Sequence, residues 1–132
     1  MKYMLDTNIC IYIIKKKPEG ILTALRTKLP DGLAISTITL AELAHGVQAS
    51  AYPQNNTLAL SQFLVIIDVL PFDHEAAMEY GEICASLRRQ GTPIGQMDML
   101  IAAHAKSKGL VVVTNNIREF ARVEGLSLEN WV

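Results

Sequence analysis

Hydrophobic and polar positions along the chain change period repeatedly, and each change marks an element. Lys2–Leu5 is short and apolar, reads as a buried strand, and stops at Asp6-Thr7-Asn8. Thr7 and Asn8 suit the cap of an apolar helix over Ile9–Ile14. Lys15, Lys16 and Lys17 follow, where cations complement a helix C-terminus. Pro18 fits the first turn of a second helix, Glu19–Leu29, and Pro30-Asp31-Gly32 is a turn. Leu33–Ser36 reads as a second strand, with Ser36 or Thr37 capping a helix in which Leu40, Leu43, Ala44 and Val47 recur at helical spacing. Polar residues and Pro53 make Ser50–Asn56 a loop, before a helix over Thr57–Val65 and a strand at Ile67–Leu70. Asp73 caps a long amphipathic helix through Gln90, with Ala76, Tyr80, Ile83 and Leu87 on one face. After the turn Gly91–Gly95, a helix over Gln96–Ser107 ends at Gly109. Leu110–Val113 suits a central parallel strand, Ile117–Val123 one or two helical turns, and Leu126–Leu128 a last strand.

Strands alternating with helices over short connections predict an α/β fold: a central, mostly parallel sheet covered on both faces, a three-layer α/β/α arrangement. At 132 residues the chain fits a single domain, 1–132. Ligands in such sheets bind at the carboxyl ends of the strands, which selects Asp6 and Thr114–Asn116. No apolar run is long enough to span a bilayer, and no signal-peptide pattern opens the chain, so a cytoplasmic protein without a membrane association is expected. Cys10 and Cys84 are isolated thiols, as in a reducing compartment. No GxGxxG follows the first strand, which disfavours a dinucleotide enzyme.

Net charge is −1, which excludes a surface coated for nonspecific nucleic-acid binding. Lys and Arg are nevertheless absent from residues 41–87 and confined to the two ends of the chain. Those ends could make one positive rim, with Arg88, Arg89, Lys106, Lys108, Arg118 and Arg122 as candidate phosphate contacts. Ordinary solvated surface explains the same charges.

Three carboxylates carry the candidate chemistry. Asp6 ends a strand, Asp98 opens a helix, and each could merely cap or complement a helix N-terminus. Glu42 lies too far into its helix to cap it and has the apolar neighbours Ile38, Ala41 and Leu43. Brought together at one sheet edge, buried acids repel and take up protons. A hard divalent cation removes that penalty and can activate water against a phosphodiester. Asn116, Glu119, Thr7 and Thr114 stand close enough in sequence to support such a site, while His45, His74 and His104 offer no convincing base.

The segments MLDTNICIYI, ISTITLAELAHGV, GTPIGQMDMLIAAHAKSKGL and VVVTNNIREFARVEGL, in that order, resemble the PIN-domain ribonucleases, and within them the VapC toxins of type II toxin–antitoxin modules. The likeness runs from Met4 to Trp131. It implies a PIN fold with Asp6, Glu42 and Asp98 as the acidic site, Asp6 and Asp98 as metal ligands, and Mg²⁺ or Mn²⁺ as cofactor. The family's fourth acidic position falls at Asn116, an amide here, so one firmly held metal is expected rather than a pair.

The resemblance further implies an endoribonuclease toxin acting on RNA, with the initiator tRNA anticodon loop as substrate. It also implies a VapB-type antitoxin, a homodimer, and a larger toxin–antitoxin assembly. Two rivals stay open: a catalytically silent PIN-like module acting as corepressor with its antitoxin, and a Mg²⁺-dependent DNA nuclease or phosphatase.

Overall fold

A computed structural model describes residues 1–132. The chain order is β1 (Tyr3–Leu5), α1 (Thr7–Lys15), α2 (Gly20–Lys28), β2 (Leu33–Ser36), α3 (Thr37–Gln48), α4 (Pro53–Val65), β3 (Asp68–Leu70), α5 (His74–Gln90), α6 (Gln96–Lys108), β4 (Val111–Val113), α7 (Ile117–Phe120) and β5 (Leu128–Glu129). The alternation anticipated from the hydrophobic pattern is present element for element. All strand pairs are parallel, in the order β3-β2-β1-β4-β5. No helix is long and apolar enough to cross a membrane.

The strand order sorts the helices. From β1 the chain steps outward to β2 and β3, then returns to the other side of β1 for β4 and β5. Parallel crossovers are right-handed, so reversing the direction of travel moves the following helices to the opposite face. Two separate cores result. Tyr3, Leu5, Leu33, Ile35 and Val113 point to the face covered by Ile9, Ile13, Ile21, Leu25, Leu43, Leu60 and Phe63 from α1–α4. Met4 and Val112 point to the other, beneath Ile83 and Leu87 of α5, Ile101 and Ala102 of α6, and Phe120 of α7. Adjacent strand residues serve different cores, which is why these strands read as unbroken apolar runs rather than alternating ones.

Local differences from the sequence reading have physical causes. The cap of α1 is Asp6, not Thr7 or Asn8: its carboxylate accepts from the Ile9 amide, and the helix begins at Thr7. The cap of α3 is Ser36, whose hydroxyl accepts from Ile38 N. Helix α4 begins at Pro53, inside the segment read as a loop. Proline lacks the N–H that a first-turn position leaves unused, so Pro53 starts the helix instead of preventing it. Helix α2 starts at Gly20 and stops at Lys28, and β5 sits slightly later than expected, at Leu128–Glu129. The segment after β4 makes only the single turn Ile117–Phe120.

Helices α5 and α6 end at Gly91 and Gly109, both at positive φ (68° and 67°). Helix α1 ends the same way without a glycine: Lys16 adopts φ 59° and ψ 34°, its amide donating to Ile13 O. A side chain there carries the left-handed penalty that glycine escapes. We therefore expect Lys16→Gly to raise unfolding free energy by about 0.5–1 kcal/mol, the relief of that penalty less glycine's extra chain entropy. A urea midpoint that stays put or falls would contradict this account of the α1 terminus.

Candidate active site

The reversal of strand order places a crevice at the carboxyl ends of β1 and β4, where doubly wound sheets bind their ligands. The Asp6 amide donates to Val113 O at 3.0 Å, so the two strands end side by side. The Asp6 side chain, only 3% exposed, then turns into the protein. Its Oδ1 accepts from Ile9 N at 3.0 Å, and its Oδ2 accepts from Thr114 Oγ1 at 2.5 Å. The buried Thr114 hydroxyl in turn accepts from Asn116 N at 2.9 Å. Capping and site architecture thus share one carboxylate, and the capping role alone leaves the Thr114 contact unexplained.

Glu42 projects from α3 toward the start of α1, where Thr7 Oγ1 donates to its Oε1 at 2.6 Å. Thr7 therefore ties two helices together instead of capping one. Asp98, in the first turn of α6, is half-buried. The Asn116 amide donates to both Asp98 Oδ2 (3.3 Å) and Glu119 Oε2 (3.1 Å). The amide at this corner thus draws in a fourth acid from one helical turn later.

The electrostatics agree with the geometry. Burial, then the charges of Asp6 and Glu119, a hydrogen bond with Glu119 and the charge of Glu42 push the Asp98 carboxyl up to about 6. Burial also raises Asp6 above the usual carboxylate range, partly offset by hydrogen bonds from Thr114 and Ile9, with the Glu42 charge adding to the rise. None of the four acids has an ion-pair partner in the chain. The crevice is therefore a concentration of negative charge that the protein itself leaves uncompensated.

Several candidates lie elsewhere. His45 and His74 are exposed. His104 is fully buried, with Nδ1 2.8 Å from Ser36 Oγ and its ring edge-on to Phe72, and burial lowers its pKa. Lys108 is held by Asp73 and Glu75, Lys106 by Glu79, and Arg122 donates to Pro93 O, so three of the proposed phosphate contacts already have partners. Arg88, Arg89 and Arg118 remain exposed. A cavity of about 760 Å³ between α5 and the 122–125 segment contains none of Asp6, Glu42, Asp98 and Glu119. A groove of about 290 Å³ lined by Ile11, Ile14, Leu43, Val47 and Leu60 does reach Glu42.

A parallel sheet carrying acids at its switch point is the arrangement of a PIN domain, and residues 3–126 match that family. The chain is 48% identical over 132 residues to the tRNA(fMet)-specific endonuclease VapC of Shigella flexneri, covering 99% of this chain and 98% of that protein. It is 46% identical over 132 residues to ribonuclease VapC2 of Haemophilus influenzae, covering 100% and 99% respectively. Two solved structures superpose with TM-scores of 0.95: VapBC2 of Rickettsia felis bound to a promoter DNA fragment (41% identity, 100% of both chains) and DNA-bound VapBC of Salmonella typhimurium (46% identity, 100% and 99%). The chain belongs to the PIN-domain family and, within it, to the VapC toxins of VapBC toxin–antitoxin pairs.

The raised Asp98 pKa has a consequence for folding. A carboxyl that titrates near 6 when folded and near its ordinary 3.8 when unfolded opposes folding once ionised. That opposition is absent below the unfolded value, grows as pH rises between the two, and is complete above 6. In EDTA, Asp98→Asn should therefore raise Tm by a few degrees at pH 7.5, with the gain shrinking as pH falls toward 4. Thermal melts of parent and variant across this range test it; a pH-independent difference would count against the crowding of charge.

Proposed function

We propose that the protein is a single-domain, Mg²⁺-dependent endoribonuclease that cuts single-stranded RNA, with the anticodon loop of initiator tRNA as substrate. The observation that carries this reading is the convergence of Asp6, Glu42, Asp98 and Glu119 on one crevice without a compensating cation. The VapC relatives support the substrate, since two of them bear the name tRNA(fMet)-specific endonuclease.

The donor set suits a hard cation. The carboxylates of Asp6, Glu42, Asp98 and Glu119 and the hydroxyls of Thr7 and Thr114 offer hard oxygen atoms. No three His, Cys, Asp or Glu side chains already stand together as a cation-holding group. Mg²⁺ would need only one or two direct carboxylates, because it keeps several of its waters. Mn²⁺ has the same oxygen preference and would substitute. Asp6 and Asp98 are the direct ligands in this reading. When bound, the cation neutralises phosphate charge and makes water a stronger nucleophile.

The remaining residues hold the geometry. Each Asp6 oxygen already accepts one hydrogen bond, which leaves each a lone pair for a ligand and fixes its direction. Thr7 binds one oxygen of Glu42 and so aims the other, which can accept a proton from the attacking water. Asn116 keeps Asp98 and Glu119 at a set separation. Attack in line with the departing 3′ oxygen gives a 5′-phosphate and a 3′-hydroxyl. An unpaired loop suits this open crevice because its bases are unstacked and accessible.

The partners are a VapB-type antitoxin and a second copy of the chain, in a larger toxin–antitoxin assembly. The Ile11–Ile14–Leu43–Val47–Leu60 groove can take apolar side chains of an antitoxin peptide, and Glu42 in its lining can hold a basic side chain of that peptide. Exposed Leu58 and Val65 of α4, with Ile66 just after it, supply apolar surface for a subunit contact.

Incubation with initiator tRNA should produce a single major cut in the anticodon loop with Mg²⁺ or Mn²⁺ and none in EDTA. Asp6→Ala, Glu42→Gln and Asp98→Ala should each lower the rate by at least about 100-fold, the scale of losing a transition-state charge contact. Duplex DNA and a small phosphate ester should remain intact. Cutting that persists in EDTA, or after all three carboxylates are replaced, would overturn the assignment.

A further inference from the structure

The turn after β4 carries one residue that the acidic site does not use. Thr114 is tied to Asp6, and Asn116 to Asp98 and Glu119, so the intervening Asn115 is anchored on both sides within one residue of the acids. Its side chain takes another direction: Nδ2 donates to Tyr12 Oη at 2.9 Å. Tyr12 lies on α1, the helix that Asp6 caps, with its ring partly packed against the first core. The ring is thus held by packing and its hydroxyl by Asn115. An exposed bond between neutral groups contributes little to folding, so stability gives this pairing only a weak rationale.

From this placement we propose that Tyr12 and Asn115 form a nucleobase-holding rim beside the scissile phosphate, and that this rim selects which unpaired base lies next to the cut. The inference rests on the ribonuclease reading above. Asn115 keeps one N–H and its carbonyl oxygen free, and Tyr12 keeps its O–H, which together offer donors and an acceptor to a base edge. The tyrosine ring supplies a stacking surface already held in place. A phosphate is the poorer occupant, because the two residues flanking Asn115 hold the carboxylates of Asp6, Asp98 and Glu119, whereas a base is neutral. The pair holds substrate and performs no chemistry.

The test uses the full chain in EDTA and a fluorescein-labelled single-stranded RNA of the cleaved loop, read by anisotropy. Tyr12→Ala should weaken binding about 10-fold, within the range measured for loss of one base–aromatic stack. Tyr12→Phe should retain most of the affinity, and Asn115→Ala should change the preferred base beside the cut. Removing that base from the RNA should abolish the difference between parent and Tyr12→Ala. With Mg²⁺, Tyr12→Ala should raise KM and leave kcat near the parent value. The inference fails if a Tyr12→Ala protein with parental Tm binds like the parent, or if the deficit is unchanged on abasic RNA, the result expected of a phosphate contact. Either failure alongside normal Mg²⁺-dependent cutting leaves the ribonuclease reading intact, whereas a parent that neither binds nor cuts RNA defeats both.

Discussion

The Asp6 amide donates to the Val113 carbonyl, and just beyond it the Asp6 carboxylate accepts from the Thr114 hydroxyl. These two contacts join the ends of β1 and β4, the strands between which chain direction reverses across the sheet. The crevice at that junction exists because no crossover covers it. Its walls are the first turn of α1, the first turn of α6 and the turn after β4, all of which bring polar backbone or short polar side chains to the same edge. Glu42 arrives separately, from within α3, and Thr7 holds it there.

Packing and chemistry oppose each other at this junction. Two apolar cores meet at the sheet and exclude water from Asp6, which is nearly as buried as the hydrophobic residues beside it. Burial raises Asp6 and Asp98, and the mutual repulsion of the four acids raises Asp98 further. Hydrogen bonds from Thr114, Thr7 and Asn116 satisfy individual oxygens without supplying positive charge. The arrangement is held by hydrogen bonds but its charge is unbalanced, which is the feature the proposed cation would relieve. A groove lined by Ile11, Ile14, Leu43, Val47 and Leu60 reaches the same site at Glu42.

The amide at position 116 illustrates how one side chain alters the meaning of its neighbours. An acid there would repel Asp98 and Glu119. An amide donates to both, so Glu119 is drawn inward and the local negative charge is kept with one fewer carboxylate at the corner. Asn115, one residue earlier, turns the other way to Tyr12, so a short turn divides its side chains between acids and rim.

Much of this was legible in one dimension. Apolar runs of strand length, helical spacing in α3 and α5, and the caps Ser36 and Asp73 are local signals, because neighbouring residues set backbone conformation and the period of burial. Asp6 and Asp98 were conspicuous since strand ends and helix starts are where an α/β sheet places ligands. The Pro53 start of α4 was missed because proline breaks a helix interior but suits its first turn, and the residue alone does not reveal which applies. The contacts between Thr7 and Glu42, Asn116 and Asp98, and Asn115 and Tyr12 follow a different rule. Whether an acid caps, repels or binds depends on which distant element the crossovers bring within hydrogen-bond reach, and that distance belongs to the folded sheet. Period and capping therefore specified the elements; the direction of travel between strands assembled their polar ends into a site.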